Sequence, residues 1–299
     1  MSTTSNPDES ARDDTETTDS RDRLVTWALA VAQLVSWGSV YYSFSLLVVP
    51  MEQAMGWSRT AMNAALSDVF ICLPVHVAAI RSSRLDVEAR PISAEVKQTN
   101  DAATQRALRS PVFWALAVCF TAYYATFAAL TFHLVPLMVE RGISNAVLVT
   151  TMALIGPAQV AARAIWFMFG RGVHISTVGI VIVTLFPVST LILIGAGHSA
   201  ALLWLFALCY GAANGMMTIL RGTIVQDLMW TEGYGAVSGM LSFPSNVAKG
   251  VAPIAAASIW SFTHGYVAVE WTVFLVSILS AIAFFAAIRF SRHATIRTA

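Results

Sequence analysis

Two cationic side chains lie inside long apolar stretches of this sequence. Lys249 is near the middle of GAVSGMLSFPSNVAKGVAPIAAASIWSF, and Arg163 lies within LIGPAQVAARAIWFMFGRG. A charge at the centre of a membrane helix costs about 2.5–3.5 kcal/mol on insertion scales, so such residues are rare and usually mark a functional site. Cations in this setting are suited to binding an anion inside a membrane.

The two cations differ in how firmly they indicate a site. Arg163 is about 10 Å from the nearer end of its predicted helix. It is either a binding residue or a side chain that extends to the membrane surface, and both interpretations stay open. Gln159 precedes Arg163 by four residues, so one helix face presents an amide and a guanidinium together. Lys249 is about 20 Å from either helix end. Its alternative role is a structural hydrogen bond to carbonyls freed near Pro244 and Pro253, but binding is favoured.

Other polar groups deep in apolar segments are candidates to line a binding cavity. Three of them, Tyr123, Tyr124 and Asn214, are included in the predicted binding site, although buried tyrosines are more often hydrogen-bonded core residues. The cysteines and histidines have no metal-binding spacing, and no hydrolase or phosphate-loop motif is present. The sequence therefore predicts neither an enzyme nor a metal site or cofactor.

The composition predicts the elements that must position these residues. The chain of 299 residues is 57% hydrophobic and only 12% charged, whereas soluble domains contain about 25% charged residues. It is therefore predicted to be an all-α integral membrane protein in contact with the lipid bilayer. About 20 apolar residues are needed to cross a bilayer as a helix. Eight segments qualify: 24–49, 60–80, 111–139, 144–169, 175–197, 200–220, 235–262 and 266–288.

The remaining segments and their charges predict an orientation. Residues 1–23 form an acidic, disordered tail, residues 81–110 a charged cytoplasmic linker, and residues 291–299 a second cytoplasmic tail. Of the Lys and Arg residues outside the spans, 14, Arg221 among them, fall on one side, and only Arg59 and Arg141 fall on the other. This distribution places both termini in the cytoplasm. The near-zero overall charge gives no indication of nucleic-acid binding.

Several motifs resemble one family of membrane transporters. The stretch YYSFSLLVVPMEQAMGWSRTAM (41–62), with its GWSR, and the HLVP at 133–136 resemble the major facilitator superfamily, in particular its monocarboxylate porter and oxalate/formate antiporter branch. Residues 111–290 are similar to the intact six-span C-terminal bundle of that family. The resemblance implies that Arg163 and Lys249 bind substrate carboxylates. The porters have an acidic residue where this chain has Gln159, which argues against proton coupling of their kind.

The same resemblance implies that part of the N-terminal half is missing. The family has twelve spans in two bundles of six, whereas eight are predicted here. Residues 24–80 then represent a two-span remnant of the N-terminal bundle, with 60–80 a hybrid helix joined near Ser67 and Asp68. The expected fold is a truncated major-facilitator-type fold.

The implied function is transport of small mono- or dicarboxylates by alternating access across a bacterial inner membrane. With four spans absent, the binding face needs a cover, and a homodimer or a partner membrane protein would provide one. Three outcomes stay open: a transporter completed by dimerisation, a non-transporting binding or regulatory subunit, and an inactive deletion remnant.

Overall fold

The computed structural model describes Gly56, residues 94–170 and residues 172–298. The predicted spans 24–49 and 60–80, the acidic tail and the first part of the linker lie outside the described residues. Every regular element within the described residues is an α-helix. In chain order they are α1 (Ala94–Leu108), α2 (Pro111–Glu140), α3 (Asn145–Phe169), α4 (Ile175–Gly195), α5 (Ala200–Leu228), α6 (Tyr234–Thr263) and α7 (Tyr266–Thr298).

Helices α2 to α7 occupy the six segments that the apolar pattern predicts in the second part of the chain. Five of them, all except α6, are long and apolar enough to cross a membrane. Helix α6 is 30 residues long, but it carries Lys249 together with several serines and glycines, and this composition keeps it out of that group. The described part of the chain is therefore a multi-pass helical membrane protein.

Local sequence determines where several helices begin and end. Pro111 occupies the first turn of α2, where its missing N–H costs nothing because that donor has no partner inside a helix. Helix α6 is bounded by two residues in the left-handed region, Gly233 at φ 63° and His264 at φ 53°. A Cβ at Gly233 would also lie 2.4 Å from the Cβ of Ala103 in α1. Both the positive φ angle and the lack of space for a side chain therefore favour glycine at this position.

Two helices organise the packing of the bundle. Helix α2 packs against α6 and α7, and α5 packs against α3 and α4, while contact between α4 and α7 joins the two groups. The interior is filled with large apolar side chains, among them Phe120, Phe186, Phe206 and Phe284, all fully buried. Because the connections are short, successive helices alternate in direction. We call the two ends of the bundle the Pro111 end and the Glu140 end, after the first and last residues of α2.

Glycines bring α3 and α5 into backbone contact. A Cβ added at Gly211 would lie 2.5 Å from the carbonyl oxygen of Ile155, and one at Gly215 would lie 2.5 Å from that of Gln159. Both obstacles are backbone atoms, which cannot move aside as a flexible side chain can. Small residues at these positions allow close helix approach without interposed side chains.

We expect Gly215→Ala to lower the free energy of unfolding by about 1–3 kcal/mol, because the added methyl group overpacks the α3–α5 contact. Gly222→Ala is the matched control, since it lies in the same helix and its Cβ would meet nothing within 4 Å. Both variants gain the same helix propensity. Equal thermal stability of the two purified proteins in detergent would contradict the close contact.

Two helices differ from the sequence predictions in extent. Helix α1 lies within the predicted linker 81–110 and packs against α6. The Arg106 guanidinium of α1 also lies 4.2 Å from the ring centroid of Trp230, in the connection between α5 and α6. Helix α7 continues to Thr298, so most of the predicted tail 291–299 is helical. The linker and the tail were predicted to be connecting segments because they are charged. A charged composition does not exclude a helix at the membrane surface.

Candidate functional site

The predicted residue Lys249 lies against an aromatic ring. Its Nζ atom is 4.1 Å from the centroid of the Tyr124 ring, which places the ammonium over the ring face. Tyr124 belongs to α2 and is only 8% exposed. The ring face carries partial negative charge, and a cation in this position is stabilised by about 0.5–2 kcal/mol depending on desolvation. The ring thus positions the ammonium without neutralising it.

A second cation, Arg221, approaches the same ring. Its guanidinium carbon is 5.2 Å from the Tyr124 centroid, and one guanidinium N–H donates to the Ser242 hydroxyl of α6. The sequence pattern predicts Arg221 in a cytoplasmic connection, because the predicted span ends at residue 220. The structure corrects the end of the helix: α5 continues to Leu228, so Arg221 lies within a helix and not in a connection.

A signal for the longer helix was present in the sequence. Beyond Arg221 the pattern continues with Ile224, Val225 and Leu228, at the spacing of an apolar helix face. The first two of these side chains are fully buried. Their burial holds the last two turns of α5 against the bundle and keeps Arg221 in position.

None of the carboxylates in the described part of the chain forms an ion pair with either cation at Tyr124. The ion pairs among the described residues are Arg141–Glu270 and His174–Asp227. Because Lys249 and Arg221 lie 4.1 and 5.2 Å from one shared point, they are at most about 9 Å apart. Two unit charges at this distance repel by roughly 2 kcal/mol at an effective dielectric constant of about 20. An anion between them would relieve that repulsion.

The other predicted site residues meet further along α5. Arg163 donates through Nε to the carbonyl oxygen of Gly215 at 2.9 Å. Its side chain thus points along α3 toward the N-terminus of that helix, the direction that helical side chains favour, and the residue remains exposed. Gln159 packs against Gly215 through its backbone. Tyr123 is fully buried and donates to Oδ1 of Asn214 at 3.0 Å.

The six predicted site residues therefore form two groups. Lys249 and Tyr124 meet between α2 and α6. Arg163, Gln159, Tyr123 and Asn214 surround the Asn214–Gly215 step of α5. Tyr123 and Asn214 are hydrogen-bonded to each other in the core. This is the common role of a buried tyrosine, which the sequence left as the alternative to ligand binding. Lys249 is half-buried beneath its contact with Tyr124, whereas Arg163 is exposed apart from its bond to Gly215.

We expect the ring face of Tyr124, and not its hydroxyl, to support Lys249. Tyr124→Phe retains the face and should preserve anion binding within about threefold, whereas Tyr124→Leu should weaken it about 3- to 30-fold. Isothermal titration of both purified variants with the same carboxylate measures the difference. An equal loss in the two variants would indicate that the hydroxyl matters instead.

A second polar cluster closes the Glu140 end of the bundle. Arg141 donates to both carboxylate oxygens of Glu270 at 2.5 and 2.6 Å and to the Leu193 carbonyl oxygen at 2.8 Å. Glu140 accepts from Nε1 of Trp260 at 2.7 Å. These bonds connect α2, α4, α6 and α7. This ion pair was not predicted, because Arg141 and Glu270 are 129 positions apart in the sequence and give no local signal.

His133 is a further buried polar residue that the sequence analysis did not select. Its Nε2 lies 2.9 Å from the carbonyl oxygen of Pro253, and its Nδ1 lies 3.0 Å from the Tyr266 hydroxyl. Because a carbonyl only accepts, Nε2 carries a proton, and in the neutral ring Nδ1 accepts from Tyr266. His133 thus joins α2 to both α6 and α7.

A cavity of about 510 Å³ lies between α3, α4 and α5. Its lining is almost entirely apolar, with Ile165, Trp166, Val181 and Leu185 as typical members. It contains no cation and is unsuited to an anion. Among the described residues, no group of three His, Cys, Asp or Glu side chains is arranged to hold a metal ion.

No family model matches the chain, and no curated protein and no solved structure shows significant similarity to it.

Proposed function

We propose that this protein is a membrane transporter of small organic anions, with Lys249 as the central binding residue. One observation carries the proposal: the Lys249 ammonium rests on the Tyr124 ring, 4.1 Å from its centroid, without a carboxylate partner among the described residues. A cation retained inside a membrane helix at a cost of a few kcal/mol is usually retained for a ligand. A carboxylate is the small anion most readily matched to it.

The proposed site has one centre and one supporting group. Lys249 neutralises the carboxylate, and Tyr124 holds the ammonium in place. Arg163 donates through Nε to the Gly215 carbonyl oxygen and offers its remaining N–H donors to the ligand, with bidentate geometry available to a guanidinium. Gln159, one turn away on the same face of α3, supplies an amide. When the ligand leaves, the cations lose their counter-charge. Reorientation of the protein in the membrane is thereby linked to binding of the ligand.

The architecture we propose follows the resemblance to the major facilitator superfamily. Residues 111–290 serve as a six-helix bundle that moves as one body in alternating access. Spans 24–49 and 60–80 bring the total to eight, with both termini on the cytoplasmic side of a bacterial inner membrane. The Pro111 end of the bundle then faces the cytoplasm, in agreement with the excess of Lys and Arg in its connections.

A cover for the open faces of α3 and α6 is part of the proposal. Each of these helices packs mainly against one neighbour, α5 and α2 respectively, and large apolar side chains such as Phe167 and Phe243 are more than half exposed. Because Lys249 and Arg163 lie on the same two helices, contact of these faces with lipid alone is unfavourable. A second copy of the chain or a partner membrane protein would cover them. Single-molecule photobleaching in liposomes distinguishes monomers from dimers.

Ligand binding to the purified protein tests the proposal directly. A ligand at 100 times its dissociation constant stabilises the folded state by about 2.7 kcal/mol. We therefore expect acetate, lactate, formate or oxalate to raise the melting temperature at constant ionic strength, relative to chloride. Lys249→Ala should abolish the shift. Lys97→Ala, which removes an exposed lysine of α1, should retain it. Identical melting of wild type in every salt would contradict the proposal.

A further inference from the structure

Arg221 lies deeper in the bundle than the sequence predicts. It precedes the end of α5 at Leu228 by seven residues, which corresponds to about 10 Å of helix rise. Helical side chains lean toward the N-terminus of their own helix, and for α5 that direction leads away from the Pro111 end and into the bundle. The guanidinium accordingly reaches the ring of Tyr124 instead of extending to the nearer surface.

The contacts of Arg221 leave its charge uncompensated within the described part of the chain. Its hydrogen-bond partner there is Ser242, whose hydroxyl in turn donates to the Ser238 carbonyl oxygen at 2.7 Å. A hydroxyl accepts a hydrogen bond but carries no negative charge. A guanidinium has five N–H donors, and a neutral oxygen and an aromatic face occupy only part of this capacity.

A hydroxyl on the same helix as Tyr124 also lacks a partner among the described residues. The Oγ1 atom of Thr121 is buried and forms no hydrogen bond with the part of the chain that the structure describes. Thr121 precedes Tyr124 by three residues on α2, so the two are neighbours on that helix, with Thr121 nearer the Pro111 end. A buried hydroxyl without a partner is costly. A ligand oxygen within hydrogen-bonding distance of this hydroxyl would remove that cost.

We propose that Arg221 is a specificity-determining residue that binds the second negative charge of a dianion. The inference rests on the proposed anion site and extends it. Lys249 and Arg221 are at most about 9 Å apart across the Tyr124 ring. One singly charged carboxylate can neutralise only one of them, whereas a compact dicarboxylate with its two groups a few bonds apart neutralises both. The site therefore prefers dianions to monoanions of similar size.

Titration calorimetry with paired ligands tests this role. Malonate and succinate serve as dianions, and acetate and propionate as monoanions, at one pH and one ionic strength. We expect Arg221→Gln to weaken dianion binding at least about tenfold, the effect of losing one charged hydrogen-bonded contact. Monoanion binding should change by no more than about twofold, because Lys249 still supplies its charge.

Two further variants separate charge from structure. Arg221→Lys keeps the charge and should retain a preference for dianions. Lys97→Ala removes an exposed positive charge of α1 outside the site, so it should bind both ligand classes as wild type does. An equal loss of both classes in Arg221→Gln would overturn the inference, as would loss of the preference in Arg221→Lys. Wild type that binds neither class would instead overturn the proposed function itself.

Discussion

We expect cells that express Lys249→Ala to take up labelled oxalate, formate and lactate at least about tenfold more slowly than cells with the wild-type protein. The physical reason is the loss of the ammonium that pairs with the carboxylate, since a charged hydrogen bond contributes about 1.5–3 kcal/mol. Initial rates over a range of concentrations, corrected for membrane levels of each protein, measure the effect.

The other lysine of the chain provides the control for this experiment. Lys97 is exposed on α1, so Lys97→Ala removes the same side chain without affecting the site and should leave uptake unchanged. Lys249→Arg keeps the charge and should retain part of the activity. Saturable uptake by Lys249→Ala at the wild-type rate would exclude Lys249 from the site.

The second large effect concerns stability. We expect Arg141→Ala to lower the free energy of unfolding by about 3–5 kcal/mol, because it leaves Glu270 as a buried charge without its partner. Glu270 is only 4% exposed, and Arg141 donates to both of its carboxylate oxygens. Chemical denaturation of the purified protein in mixed micelles gives the difference.

A double variant identifies the cause of that loss. Glu270→Gln in the Arg141→Ala background removes the unpaired charge and should recover part of the lost stability. If the double variant is no more stable than Arg141→Ala alone, the unpaired carboxylate is not the cause. A loss below about 1 kcal/mol in Arg141→Ala would mean that the pair behaves as an exposed one.

The sequence predicted the starts of α2 to α7 well because each of these helices is an apolar run bounded by recognisable residues. Pro111 begins α2 as expected, and the starts of α3 to α7 fall within one residue of the predicted positions. The end of α5 was missed because Arg221 resembles a residue that terminates a span. The apolar spacing of Ile224, Val225 and Leu228 continues the helix pattern beyond Arg221, and the burial of the first two confirms it.

The residues of the candidate site were predicted only in part, since Arg221 was assigned to a connection, and the contacts of the site could not be predicted. Lys249 and Arg163 stand out because each is a charge in an apolar setting. The approach of Lys249 to Tyr124 depends on the packing of α6 against α2, and no spacing in the sequence encodes it. The same applies to His133, whose partners Pro253 and Tyr266 lie more than 100 residues away.

Transport by the purified chain alone is the most direct test of the account. The protein is reconstituted into liposomes at known density, and uptake of a labelled carboxylate is followed against unlabelled anion inside. We predict saturable uptake that Lys249→Ala removes and Lys97→Ala preserves. Absence of uptake by folded wild-type protein in sealed liposomes, together with the absence of carboxylate binding in detergent, would contradict the claim that the cations at Tyr124 form an anion-transport site.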